Sequence, residues 1–84
     1  MTQDNFLSIL DTSLIEMGLQ DEIYILVRQA AARSAADYDM SDPHDHEILG
    51  NKLSYLAEFV QMRATAPLTA SERQQLTLLF RTKH

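Results

Sequence analysis

The sequence predicts an all-α protein, a small antiparallel bundle of three to four helices packed as a homodimer. The first observation is length, because 84 residues are enough for a single domain. The second is periodicity, since apolar residues recur every three or four positions, as in amphipathic helices, rather than alternating as in strands. The third is the placement of turn-forming residues: Gly18, Pro43 and Pro67 lie between the periodic stretches, where turns are needed.

The first two predicted helices span residues 4–17 and 21–39. Phe6 and Leu14 share one face of the first, and Gly18 follows it as a C-terminal glycine would. The second combines an apolar stripe with an alanine-rich run that favours helix over strand. Its small residues offer a surface for close packing, which we expect to lie against the third helix, and they are Ala30, Ala31, Ser34 and Ala35.

The third predicted helix spans residues 43–65. Asp42 is suited to cap its start, with Pro43 as the first helical residue. Gly50 disturbs the pattern, because glycine inside a helix costs about 1 kcal/mol relative to alanine. It marks either a close approach of two helices or a break after which Asn51 caps a shorter helix. We favour one continuous helix.

The fourth predicted helix spans residues 70–82, and Thr69 and Glu72 have the spacing of a capping box at its start. Residues 68–79 resemble the opening helix of the helix-turn-helix domain in quorum-sensing-type response regulators. The likeness rests on Leu68, Thr69, Glu72, Arg73 and Leu76. The turn and recognition helix that read DNA in that family do not follow, so we carry no DNA-binding role across.

The charge distribution favours a protein partner over nucleic acid. The net charge of −5 and the isoelectric point near 4.9 argue against binding to a phosphate backbone. Acidic side chains concentrate in residues 1–27, which contain no basic residue, and in residues 37–47. This pattern suits approach to a basic protein surface. Alternatively, Asp4, Asp21 and Asp42 simply complement the dipoles of helix N-termini.

Several function classes find no support in the sequence. The start of the chain lacks the basic residues and the apolar run of a signal peptide, and no segment approaches the roughly 20 apolar residues that span a bilayer. We therefore expect a cytoplasmic protein without membrane contact. There is no cysteine, and no catalytic or phosphate-binding motif occurs. We expect neither enzymatic activity nor a cofactor.

The third predicted helix carries more apolar surface than an isolated bundle needs. Ile48, Tyr55 and Met62 recur at seven-residue spacing, which suits packing along a partner helix. An alternative is that this helix is central and touches all three others. We expect a small acidic protein-binding module, a bacterial or phage regulatory adaptor. Its expected partner-binding residues are an apolar face of Ile48, Tyr55, Phe59 and Met62 and an acidic flank of Asp39, Asp42 and Asp45.

A second hypothesis is metal or pH sensing through His44 and His46. Both imidazoles lie among carboxylates, and histidine with carboxylate ligands suits zinc or nickel. On a helix, however, the two side chains point about 200° apart and cannot share an ion. A metal site would need a non-helical turn or ligands from a second chain, so we assign no metal here.

Overall fold

The computed structural model describes residues 2–19, 21–62 and 67–83, and this part of the chain contains helices and no strand. The all-α prediction is therefore confirmed. A single 3-10 turn at Ala35–Asp37 follows the second helix. The α-helices are α1 (Thr2–Glu16), α2 (Glu22–Ser34), α3 (Pro43–Met62) and α4 (Ala70–Arg81).

Gly18 ends the first helical stretch as predicted. Its φ of +80° is the left-handed conformation that glycine adopts without a steric penalty. The backbone N–H of Leu19 donates to the carbonyl of Leu14 at 3.0 Å, and that of Gly18 donates to Ile15 at 2.9 Å. This pair of hydrogen bonds is a Schellman motif, which satisfies carbonyls that the helix itself leaves unpaired.

The predicted caps of α3 and α4 are also present. The Asp42 carboxylate accepts the backbone N–H of His44 at 2.9 Å, with Pro43 as the first residue of the helix. At α4, the Thr69 hydroxyl oxygen accepts the N–H of Glu72, and the Glu72 carboxylate accepts the N–H of Thr69. These interactions are local in sequence, which is why residue spacing was sufficient to predict them.

The second helix is shorter than the predicted span of 21–39. Its α-helical part ends at Ser34, and the chain has left the helix by Tyr38, whose backbone is extended. The Tyr38 ring stacks on Phe6 of α1, with ring centroids 4.2 Å apart. Reaching Phe6 requires the chain to turn away from the helix axis. The boundary is therefore set by a contact distant in sequence, which local helix propensity does not contain.

The third helix is continuous through Gly50, as predicted. A Cβ added at Gly50 would meet nothing within 4 Å. The alternative that this glycine marks a close approach of two helices is therefore wrong. The helix ends at Met62 among the described residues, and the predicted extension over 63–65 lies outside them.

The helix pair that packs most extensively is α2 with α4, and these two helices run parallel. Glu22 at the start of α2 accepts the backbone N–H of Leu68 just before α4, at 3.0 Å. At the other end, the Ser34 hydroxyl donates to the carbonyl of Phe80 at 3.0 Å. The small residues of α2 therefore allow α4 to pack closely, and the expectation that they face the third helix is wrong. Successive helices are antiparallel, but the most closely packed pair is not.

The core is formed by apolar side chains from all four helices. The largest fully buried ones are Phe6, Leu10, Leu14, Val27, Leu49, Leu56, Leu76 and Phe80. The radius of gyration of 12.3 Å is close to the value of about 12 Å expected for a compact chain of this length. Within the described residues, no helix combines the length and apolar character needed to cross a membrane.

Among the described helices, the third helix makes its closest backbone approach to α4. The alternative that this helix touches all three other helices stays a prediction. Of its large apolar side chains, Leu49 and Leu56 are buried, whereas Tyr55 and Met62 are exposed.

Candidate protein-docking groove

An open groove of about 310 Å³ lies between the second half of α3 and the first turn of α4. Three of its lining residues are apolar or aromatic, namely Tyr55, Phe59 and Met62, and the other two are Glu58 and Glu72. The Met62 side chain is 87% exposed and that of Tyr55 is 49% exposed. Tyr55 and Met62 thus present exposed apolar surface at this groove, and such surface is typical of sites that contact other molecules.

At the opposite end of the α3–α4 pair, two lysines connect the helices. The Lys52 ammonium on α3 donates to the backbone carbonyls of Leu79 and of Thr82, the latter at 2.8 Å. Lys83, just after α4, forms an ion pair with Asp45 on α3 at 2.7 Å. Because these contacts join the first half of α3 to the end of α4, the open groove lies at the other end of the helix pair.

The structure brings together three of the four apolar residues predicted for the partner-binding face. Tyr55, Phe59 and Met62 lie three to four residues apart on α3, so they form one stripe along the groove. Ile48 is two turns earlier, half-buried and packed against the core. Phe59 is also half-buried against the core. Tyr55 and Met62 therefore contribute most of the exposed apolar surface.

The acidic flank predicted alongside this face lies at the opposite end of α3, where its carboxylates stabilise the fold. Asp45 is only 2% exposed, and besides its ion pair with Lys83 it accepts the backbone N–H of Asp39 at 2.7 Å. The hydrogen bond from Lys83, followed by that from the Asp39 backbone, holds the pKa of Asp45 below its ordinary value.

The other two members of the acidic flank are exposed but engaged in local turns. Asp39 accepts the hydroxyl of Ser41 at 2.6 Å and its backbone N–H at 3.0 Å. These hydrogen bonds from Ser41 lower the pKa of Asp39. Asp42 caps α3 through the N–H of His44. Each carboxylate therefore has a structural partner within a few residues, and none of the three lines the groove.

The acidic residues that do line the groove, Glu58 and Glu72, were not identified from the sequence. Glu58 lies three residues after Tyr55 and four before Met62, so helical spacing alone places it beside the apolar stripe. That signal was present in the sequence. Glu72 comes from α4, and its proximity depends on how the two helices pack, which no local pattern shows.

The two histidines do not form a metal site in the described part of the chain. His44 and His46 are both exposed on the first turn of α3. Among the described residues, no group of three or more histidine or carboxylate side chains is placed to hold a metal ion. Metal or pH sensing by these residues stays a prediction, which titration with zinc or nickel would test.

Comparison with known proteins adds no functional assignment. The chain matches no protein family, no curated protein and no solved structure. The functional interpretation therefore rests on the groove itself: an exposed pair of large apolar side chains on one helix, with a carboxylate on each wall.

Proposed function

We propose that this chain is a small, acidic, non-catalytic protein-binding module, a regulatory adaptor of bacterial or phage type that acts in the cytoplasm. It binds its partner in the groove between α3 and α4. The single observation that carries this proposal is the exposure of Tyr55 and Met62, two helical turns apart on α3, in that groove. Aromatic residues and methionine are enriched in protein interfaces, where burying one such side chain contributes roughly 1.5–3 kcal/mol.

The shape of the groove suits a helix from the partner. Its apolar residues follow one helical stripe, so a second amphipathic helix laid along α3 contacts all of them with residues at matching spacing. Methionine adapts to irregular partners because its unbranched side chain has several rotatable bonds. Tyr55 supplies a rigid ring and a hydroxyl that is able to hydrogen-bond at the edge of the interface.

Affinity capture with matched variants tests this proposal. We expect Tyr55→Ser and Met62→Ser to weaken partner capture from native lysate roughly tenfold or more, since truncating a central anchor typically costs at least about 1.4–2 kcal/mol. Both side chains are exposed, so the fold should be retained, which circular dichroism would verify. Substituting Phe59 is less informative because it also packs against the core.

The matched control is Gln74→Ser on α4. Gln74 is exposed and does not line the groove. Capture by this variant should equal that of the wild-type chain. Equal capture by Tyr55→Ser and wild type would contradict the proposed docking surface.

We also propose that the protein forms a homodimer. The support is that three further aliphatic side chains, one each on α1, α2 and α4, are more than half exposed: Ile15, Ile25 and Leu78. A chain this small buries only about 60% of its unfolded surface, so covering these residues adds useful stability. Light scattering should give about twice the monomer mass of 9.6 kDa. A strict monomer at high concentration would contradict the dimer.

A further inference from the structure

We propose that a second site, the cleft between the C-terminal parts of α2 and α4, binds a small phosphate monoester whose dianionic group lies between Arg33 and Arg81. The cleft has a volume of about 180 Å³, and both arginines line it. It shares no lining residue with the groove between α3 and α4, so the proposal does not depend on protein docking there.

Arg33 and Arg81 differ from the other basic side chains in the described part of the chain. The others each bind a carboxylate or a backbone carbonyl of the fold, and they are Arg28, Lys52, Arg73 and Lys83. Neither Arg33 nor Arg81 forms an ion pair or a hydrogen bond through its side chain with a described residue. Both are exposed, so their guanidinium groups are available to a ligand.

The parallel packing of α2 on α4 brings the two arginines to the same cleft. The buried Ser34 hydroxyl donates to the carbonyl of Phe80 at 3.0 Å and so fixes the register of the two helix ends. Arg33 comes directly before Ser34, and Arg81 comes directly after Phe80. A helix dipole favours positive charge at the end of each helix separately. It does not require two unpaired arginines to line one cleft.

The lining of the cleft supplies the donors that a phosphate group needs. Each guanidinium presents several N–H donors in a planar fork that matches phosphate oxygens, and the Gln29 amide and the Thr77 hydroxyl add neutral donors. A phosphate monoester carries a charge of about −1.5 to −2 at pH 7, which two arginines balance. No acidic residue lines the cleft among the described residues, and Leu26 and Ala30 offer apolar surface for the organic part of the ester.

Size and charge favour a small soluble anion over a nucleic acid. The cleft is smaller than the roughly 300–1,000 Å³ typical of pockets for drug-sized ligands. The net charge of −5 opposes an extended polyanion, which would also pass the acidic parts of the surface. Glu22 at the start of α2 is about 16 Å from Arg33 along the helix axis, well beyond the Debye length of about 8 Å at physiological salt. The local potential of the cleft therefore stays positive.

Nuclear magnetic resonance titration of the full chain near neutral pH tests this proposal. The probes are inorganic phosphate and methyl phosphate, with acetate and chloride as controls at equal ionic strength. We expect both phosphates to shift the backbone resonances of Gln29 and Thr77 and the side-chain Nε–Hε resonances of Arg33 and Arg81. Acetate and chloride should bind about fivefold more weakly, because a single negative charge forgoes one exposed ion pair.

Charge-matched variants locate the binding to the cleft. Arg33→Gln and Arg81→Gln should each weaken methyl phosphate binding about fivefold, and the double variant should lose the preference for phosphate over chloride. Arg81→Lys keeps the charge but loses the planar fork, so its affinity should lie between those of Arg81→Gln and wild type. The control is Gln61→Glu, which changes the net charge by the same one unit on α3, away from the cleft. It should bind as wild type does.

Three outcomes would overturn the proposal. The first is equal binding of acetate and methyl phosphate, which would show no preference for a dianion. The second is wild-type affinity in the double variant, with its fold verified by circular dichroism. The third is cosedimentation with phosphatidic acid vesicles without any response to methyl phosphate, which would make the ligand a lipid headgroup in a membrane. None of these results decides the proposed protein docking, which partner capture with Tyr55→Ser and Met62→Ser tests separately.

Discussion

Asp45 shows how burial changes the role of a residue that looks like part of a charged surface in the sequence. Its neighbours along the chain are acidic or histidine, so the sequence suggests an exposed acidic flank. In the structure its carboxylate is buried, paired with Lys83 near the end of the chain. Together with burial, it helps raise the pKa of Tyr38 to about 12, with Asp37 contributing further. Lys83 is too distant in sequence for composition to reveal the pairing.

The Asp45–Lys83 pair should make stability depend on acid pH. The ion pair lowers the folded-state pKa of Asp45 below its ordinary value of 3.8. Its stabilising contribution is therefore fully present above the ordinary pKa and is lost as pH falls through the lower folded value. We expect Asp45→Asn to be less stable than wild type at neutral pH and to lose less stability on acidification below about pH 5.

Urea unfolding across that pH range measures this effect. The control is Asp37→Asn, because Asp37 is exposed and takes no part in the ion pair. Identical pH profiles for Asp45→Asn and wild type would show that the ion pair contributes nothing to stability.

At the scale of the helices, most of the starts and ends were predictable from the sequence, but the end of α2 and the pairing of the helices were not. The Gly18 end and the capping box of Thr69 and Glu72 depend on residues within a few positions of each other. The parallel packing of α2 on α4 depends on the match between the small residues of one helix and the side chains of the other, over a long separation in sequence. The end of α2 likewise depends on Tyr38 reaching Phe6.

Parallel packing places like ends of two helix dipoles side by side, and charged residues offset this. Glu22 and Glu72 lie in the first turns of α2 and α4, where negative charge is favourable. Arg33 and Arg81 lie in the last turns, where positive charge is favourable. The positions of Arg33 and Arg81 at the ends of α2 and α4 thus have a structural explanation.

Gly50 offers a direct test of the continuous α3 helix. A methyl group added there meets nothing within 4 Å, and the backbone is helical. We expect Gly50→Ala to raise the free energy of unfolding by about 0.5–1 kcal/mol, because alanine loses less backbone entropy than glycine on forming a helix. Denaturant unfolding measures the change. A destabilised variant would mean that the site is more crowded or less helical than the structure shows.

For the whole molecule, the sequence predicted the class of fold and most of the apolar stripe that lines the groove. Helical spacing was enough to place Tyr55, Phe59 and Met62 on one face. Helical spacing did not show that Ile48 is half-buried against the core, or that Glu72 of α4 lines the groove opposite α3. Both depend on how α3 packs against the bundle. The groove lies at the end of the α3–α4 pair opposite to the contacts of Lys52 and Lys83.

Site-specific photo-cross-linking tests the proposed docking surface most directly. A photoreactive benzophenone side chain would be placed at position 62 in the groove or, as a control, at position 74. Gln74 is exposed on α4 and does not line the groove. On irradiation in native lysate, we expect position 62 to form a discrete cross-linked product with another protein, and position 74 to form none. Products of equal yield from both positions, or from neither, would contradict the assignment of the α3–α4 groove as the protein-docking surface.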